Sequence, residues 1–173
     1  MFKKTVMATL LLGVSLIAIH FAVASQRTPA TNRVDAKTEI RRLIGTYVQS
    51  IADADAKLGA SVWSPTADVS FIEPRGSEQG WAQIATEFYA KTMAEMFTKR
   101  ALKIVGEPNI QLYENAGVVE FNWDFVAKLR ANGQSIHTTG RETQVYVNLP
   151  GKGWRLVHVH YSGPPLKGTD QAC

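Results

Sequence analysis

The chain has 173 residues, of which 45% are hydrophobic and 20% charged, with a formal net charge of +4 at pH 7. That length suits one domain with its own core. A single cysteine, Cys173, excludes an internal disulfide, and the absence of a Lys/Arg cluster or basic stripe leaves no nucleic-acid footprint.

Lys3 and Lys4 precede an apolar run from Thr5 to Val23, and Ala22-Val23-Ala24 supplies a small-x-small cleavage site. These are the three parts of a secretory signal peptide, so residues 1–24 are expected to be removed on export to the periplasm or beyond. An uncleaved anchor is the alternative, because the run approaches the roughly 20 residues that span a bilayer. No cysteine follows the run, which argues against a lipid anchor. Loss of the two lysines would lower the net charge from +4 to +2. Residues 25–35 are polar, contain Pro29 and read as a linker. The domain is expected over residues 36–165, followed by a tail, 166–173, that carries Cys173 as an exposed thiol.

Asp35 can cap a first helix, in which Ile40, Leu43, Ile44, Tyr47, Val48 and Ile51 recur at helical spacing. Its end is expected near Leu58-Gly59, with a short helical turn at Val62 and Trp63. Val69 to Glu73 reads as a strand closed by Pro74, and Arg75 to Gly80 as a polar turn. A second helix starts near Trp81, with Trp81, Ile84, Ala85, Phe88 and Met96 along one side. Beyond Phe97 the chain reads as strands: Ala101–Val105 with Ile110–Tyr113, then Val118–Leu129, Ser135–Leu149 and Trp154–Ser162. The separators are Gly106-Glu107-Pro108, Glu114 to Gly117, Asn132-Gly133 and Pro150 to Gly153. Helices first and an antiparallel meander afterwards make the class α+β.

Alternation is clean in the Val118–Leu129 strand: Val119, Phe121, Trp123, Phe125 and Ala127 share one face, and Glu120, Asn122 and Asp124 the other. A two-residue Asn132-Gly133 turn would set Trp123 opposite Glu142, Phe121 opposite Gln144 and Asp124 opposite Arg141, a cross-strand ion pair. A four-residue turn over Pro150–Gly153 would set Glu142 opposite Tyr161, Gln144 opposite Val159 and Tyr146 opposite Val157. Trp123, Glu142 and Tyr161 then form a row on the helix-covered face. A carboxylate there is costly unless paired, and desolvation raises its pKa. Such an acid serves as a structural hydrogen-bond acceptor, as part of a ligand pocket or as a general base.

His158 and His160 share a strand face, but two histidines fall short of a zinc ligand set, and no metal is expected. Gly76 and Gly80 form no phosphate loop, and neither a nucleophile elbow nor a Ser-His-Asp set is visible, so no cofactor is expected.

Four blocks carry a family likeness: Phe71-Ile72-Glu73-Pro74 with Gly80; Phe88-Tyr89; Glu142 to Tyr146; and Trp154 to Pro165. In these the chain resembles the nuclear transport factor 2-like superfamily over roughly residues 36–165. Within it, the chain is most similar to the association domain of calcium/calmodulin-dependent protein kinase II and its stand-alone bacterial, polyketide-cyclase-like relatives. The resemblance implies a cone: N-terminal helices packed on a curved antiparallel sheet, with a pocket inside and homo-oligomers built through the sheet. It does not imply kinase activity. The pocket is expected to draw on Tyr47, Trp63, Phe71, Trp123, Glu142, Gln144 and Tyr161. Trp123, Gln144 and Tyr161 stand where the association domain carries arginines, which points to a neutral or cationic, partly aromatic ligand.

Three functions follow as alternatives. The first is an exported small-molecule-binding domain, homo-oligomeric and without chemistry. The second is an assembly module using an outer sheet face with Asp124, Arg141, His158 and His160. The third is a cyclase- or isomerase-type enzyme with Glu142 as catalytic base and Tyr161 or Tyr47 as hydrogen-bond donor.

Overall fold

In a computed structural model the described residues are 30–163; the expected signal segment and Cys173 lie outside them. Helix α1 spans Ala30–Asp53, so it begins before the expected cap and Asp35 lies within it. Ile40, Leu43, Ile44, Tyr47 and Ile51 are buried along one side, as their spacing requires. Each such side chain contributes roughly 1.5–3 kcal/mol of burial. The helix stops before the expected Leu58-Gly59, because Ala54 turns to φ +52°. A separate short helix, α2, covers Ala56–Ala60, and Asp55 caps it by accepting from the Leu58 N–H at 2.9 Å. Val62 and Trp63 are not helical. They run beside Leu156, with Trp63 in a parallel bridge to it and the Leu156 N–H donating to the Val62 carbonyl at 3.0 Å.

Strand β1 is Ser70–Glu73. The segment read as a turn instead contains a strand, β2, Gly76–Gln79, which pairs back on β1 as a hairpin around Pro74-Arg75. Helix α3, Trp81–Gln83, continues without a break into a π-helix, Ile84–Met96. Bonding from i to i+5 widens each turn, so burial falls on Ile84, Phe88, Tyr89, Thr92 and Met93. Met96, expected on the buried side, is exposed for that reason. Two arginines, Arg100 of the following strand and Arg130 of a later turn, close the end of this helix. Arg100 donates to the carbonyls of Met93 and Phe97, and Arg130 to those of Ala94, Glu95 and Phe97. Cations there complement the dipole.

Strands β3 (Phe97–Tyr113), β4 (Ala116–Leu129), β5 (Ser135–Leu149) and β6 (Gly153–Ser162) complete a six-stranded sheet in the order β2-β1-β6-β5-β4-β3. Only the β1–β6 pairing is parallel. Gly106-Glu107-Pro108 does not break β3; it is absorbed where the register against β4 shifts between Val105 and Asn109.

The β4–β5 register differs from the expected one by two residues. Leu129 faces Gln134 across a four-residue connection, with its N–H on the Gln134 carbonyl at 2.8 Å. Trp123 therefore lies opposite Gly140, Phe121 opposite Glu142 and Asn122 opposite Arg141. Asp124 is opposite Thr139 and bonds His137 instead, Nε2 to Oδ2 at 2.7 Å, which replaces the expected pair with Arg141. A shift of two keeps every side chain on its face. Between β5 and β6, Glu142–Tyr161 and Gln144–Val159 pair as expected. A bulge after Val145 then moves Tyr146 from Val157 to Leu156.

Gly140 has a packing role. A Cβ there would collide with the Ser162 carbonyl oxygen and come within 2.6 Å of Trp123 Cζ2. Gly140→Val should lower stability by about 1–3 kcal/mol in urea unfolding. Gly45→Ala, in open space on α1, should raise it by roughly 0.5–1 kcal/mol. Equal midpoints for the two variants would contradict this packing.

Candidate functional site

The sheet's inner face and the helices enclose two distinct regions. One is a cavity of about 280 Å³ between the π-helix and the lower parts of β3, β4 and β5. Its walls are the rings of Phe88, Phe97, Trp123, Phe125 and Tyr161, with Ile51, Met93, Leu102 and Ile136. Trp123 and Tyr161 pack with centroids 5.7 Å apart, and Phe97 and Phe125 meet edge to face at 5.8 Å. Its polar lining residues are Glu73, Arg75, Thr92 and Thr138, besides Trp123, whose buried indole N–H has no hydrogen-bond partner, and Tyr161, whose hydroxyl is bonded to that of Tyr47. Arg75 and Thr138 are exposed, which marks the opening.

The second region is a packed layer around Glu142, whose side chain is buried. Oε1 accepts from Gln144 Nε2 at 2.7 Å, and Gln144 Oε1 accepts from the Tyr146 hydroxyl at 2.7 Å. Oε2 has no hydrogen-bond partner. Beside it, the hydroxyls of Tyr47 and Tyr161 lie 2.6 Å apart. Burial pushes the Glu142 carboxyl up to about 8, against the opposing pull of Gln144 and the nearby Tyr47 hydroxyl. Burial, then the acid itself, holds the Tyr47, Tyr146 and Tyr161 phenols well above their ordinary range.

Of the residues expected to form a pocket, Trp123 and Tyr161 border the cavity. Tyr47, Trp63, Phe71, Glu142 and Gln144 do not border it and are buried in the packed core. Phe71 joins the two regions, stacking edge-on with Phe88 at 4.6 Å and with Tyr161 at 5.1 Å. The sequence reading left out Glu73, Arg75, Phe88, Phe97, Phe125 and Ile136 as lining residues. They come from five separate elements and the turn at Arg75 and share no spacing; of them, Phe88 and Phe125 were assigned to inward sides.

On the outer face, His158 stands opposite Val145 and His160 opposite Thr143. His158 Nδ1 and Ser70 Oγ are 2.8 Å apart. Partial burial, then His160, lowers the His158 pKa. Arg141 lies on the same face, beside a polar groove of about 630 Å³ whose lining includes Asn109, Glu120, Asn122 and also Glu142. Among the described residues, no group of three His, Cys, Asp or Glu is placed to hold a metal ion, and no helix is long and apolar enough to cross a membrane.

The Glu142 shift has a signed consequence. The folded chain keeps a proton that the unfolded chain releases near the ordinary 4.5, so stability should fall as pH rises from about 4.5 to about 8 and then level off. Glu73 and Glu78, also raised by burial, act in the same direction. Glu142→Gln should reduce this slope and stabilise the fold above neutrality, by an amount on the order of a few kcal/mol. A wild-type melting temperature that is flat across this range would show that the acid is solvated.

Comparison with known proteins agrees with this architecture. The SnoaL-like domain family matches residues 40–167. A nuclear transport factor 2-like superfamily protein from Salmonella enterica serovar Typhimurium is 48% identical, with a TM-score of 0.80 over 82% of this chain and 99% of that one. A hexachlorocyclohexane dehydrochlorinase, LinA type 2, has a TM-score of 0.70 at 16% identity, covering 84% of this chain and 98% of its own. The calcium/calmodulin-dependent kinase II hub of S. rosetta has a TM-score of 0.59 at 21% identity, over 73% and 95% respectively. These last two show the fold alone. No curated protein matches the chain. The chain belongs to the SnoaL-like family of nuclear transport factor 2-like domains.

Proposed function

We propose that this chain is an exported, homo-oligomeric small-molecule-binding domain without kinase activity, and that its ligand enters the aromatic-walled cavity. One observation carries the reading: a preformed hollow walled mainly by aromatic and aliphatic side chains, with a few polar groups among them. Binding sites combine an apolar body with a few orienting polar groups in this way. A cavity of about 280 Å³ is at the small end for ligand sites, and a void of roughly 150 Å³ already takes up benzene. The ligand class is therefore a compact body of one or two rings. Export rests on the Lys3-Lys4, apolar run and Ala-Val-Ala pattern at the N-terminus. Assembly would use the outer sheet face, where Arg141, His158 and His160 stand.

Proton transfer by Glu142 is the second reading, favoured by a pKa raised to about 8, which suits a general base near neutrality. The acid does not line the cavity; its cross-strand neighbour Tyr161 does. This ranks binding above catalysis.

Calorimetric titration of the purified chain with one- and two-ring aromatic compounds, 2-naphthol among them, should give saturable binding with Kd between about 1 μM and 1 mM. Thr138→Trp, at the exposed rim, should abolish it while shifting the melting temperature by less than about 3 °C. No saturable binding across such a panel would remove the proposal.

A further inference from the structure

The cavity's charge pattern narrows the ligand class. Five aromatic rings surround the hollow, together with the thioethers of Met93 and Met96. Ring faces carry negative quadrupole potential and attract cations placed within about 6 Å. At the opening stands Glu73, the one carboxylate that borders the cavity. It is half-buried, and among the described residues no cation lies within ion-pair distance of it. A carboxylate partly withdrawn from water without a counter-ion is costly, and a cationic ligand would supply the missing partner.

Two nearby arginines are engaged elsewhere. Arg75, on the same rim, is exposed, and its guanidinium turns to the π-helix, where it donates to Thr92 Oγ1 at 3.3 Å and to the Met96 sulfur. Arg100 is committed to the carbonyls of Ile51, Met93 and Phe97. Arg75 acts on Glu73 through space, drawing its pKa down against burial and the Glu78 charge, but neither arginine forms an ion pair with it.

We propose that the cavity selects a compact apolar ligand bearing an ammonium or quaternary ammonium group, held by the aromatic walls and by Glu73. The proposal rests on the cavity being a ligand site and adds the charge of its occupant. It involves no chemistry on the ligand.

Two probes of nearly the same shape separate charge from bulk: phenyltrimethylammonium and tert-butylbenzene. Titrated into the purified chain, the ammonium compound should bind about tenfold more tightly than the hydrocarbon. Glu73→Gln should weaken the ammonium probe by about tenfold and leave the hydrocarbon unchanged. Arg75→Gln should strengthen the ammonium probe, because it removes a like charge from the rim. A merely structural role for Glu73 would move both probes together, and that result would overturn the proposal. Equal or tighter binding of tert-butylbenzene by the wild type would also overturn it while leaving the cavity as a binding site. Failure of both probes to bind would count against the cavity reading itself.

Discussion

The hydroxyl contact between Tyr47 and Tyr161, 2.6 Å long, joins α1 to β6 at the point where the interior divides. The Tyr161 ring forms part of the cavity wall, while its register partner on β5 is the buried Glu142. The same side chain thus faces an apolar hollow and backs onto an acid layer. Phe71 braces it from β1, and Trp123 from β4 across the notch left by Gly140. A buried acid with one unpartnered oxygen is tolerable because it keeps its proton at neutral pH. An ionised carboxylate in the same place would need a cation, and no ion pair reaches it among the described residues.

That arrangement shapes what the domain can do. The raised acid looks like a catalytic group when read alone, since perturbed carboxyls gather at functional sites. Structural networks perturb them as well, and here the amide of Gln144 and the phenol of Tyr146 continue the network inward. The hollow is separate, aromatic and open at a rim that carries Glu73 and Arg75. The proposed binding role therefore rests on the rim and walls, not on the acid. The fold itself does not decide between binding and catalysis, because a scaffold of this kind hosts both.

Much of the architecture was legible in the sequence because period-two alternation is robust. β4 could be assigned its inward face from Val119 to Ala127, and a register error of two left that face unchanged. The error arose at Asn132-Gly133, which resembles a two-residue turn but here ends a four-residue loop, with Gly133 at φ +72°. β2 went unread because Gly-Ser-Glu-Gln lacks β-branched and aromatic residues; its partner β1 holds it in place. The π-helix was read with α-helical spacing, which put Met96 inside in place of Met93. The cavity was the least legible feature. Its walls come from side chains far apart in the chain, and only the folded arrangement shows that Trp123 and Tyr161 border it while Glu142 does not.

The division of the interior is tested most directly by a crystal structure of the chain with a bound one- or two-ring ligand. The account predicts density between the Phe125, Trp123 and Tyr161 rings, with the Tyr47–Tyr161 contact intact and the Glu142 carboxyl out of hydrogen-bond reach of the ligand. A ligand seated against Glu142, with the two phenols parted, would contradict it.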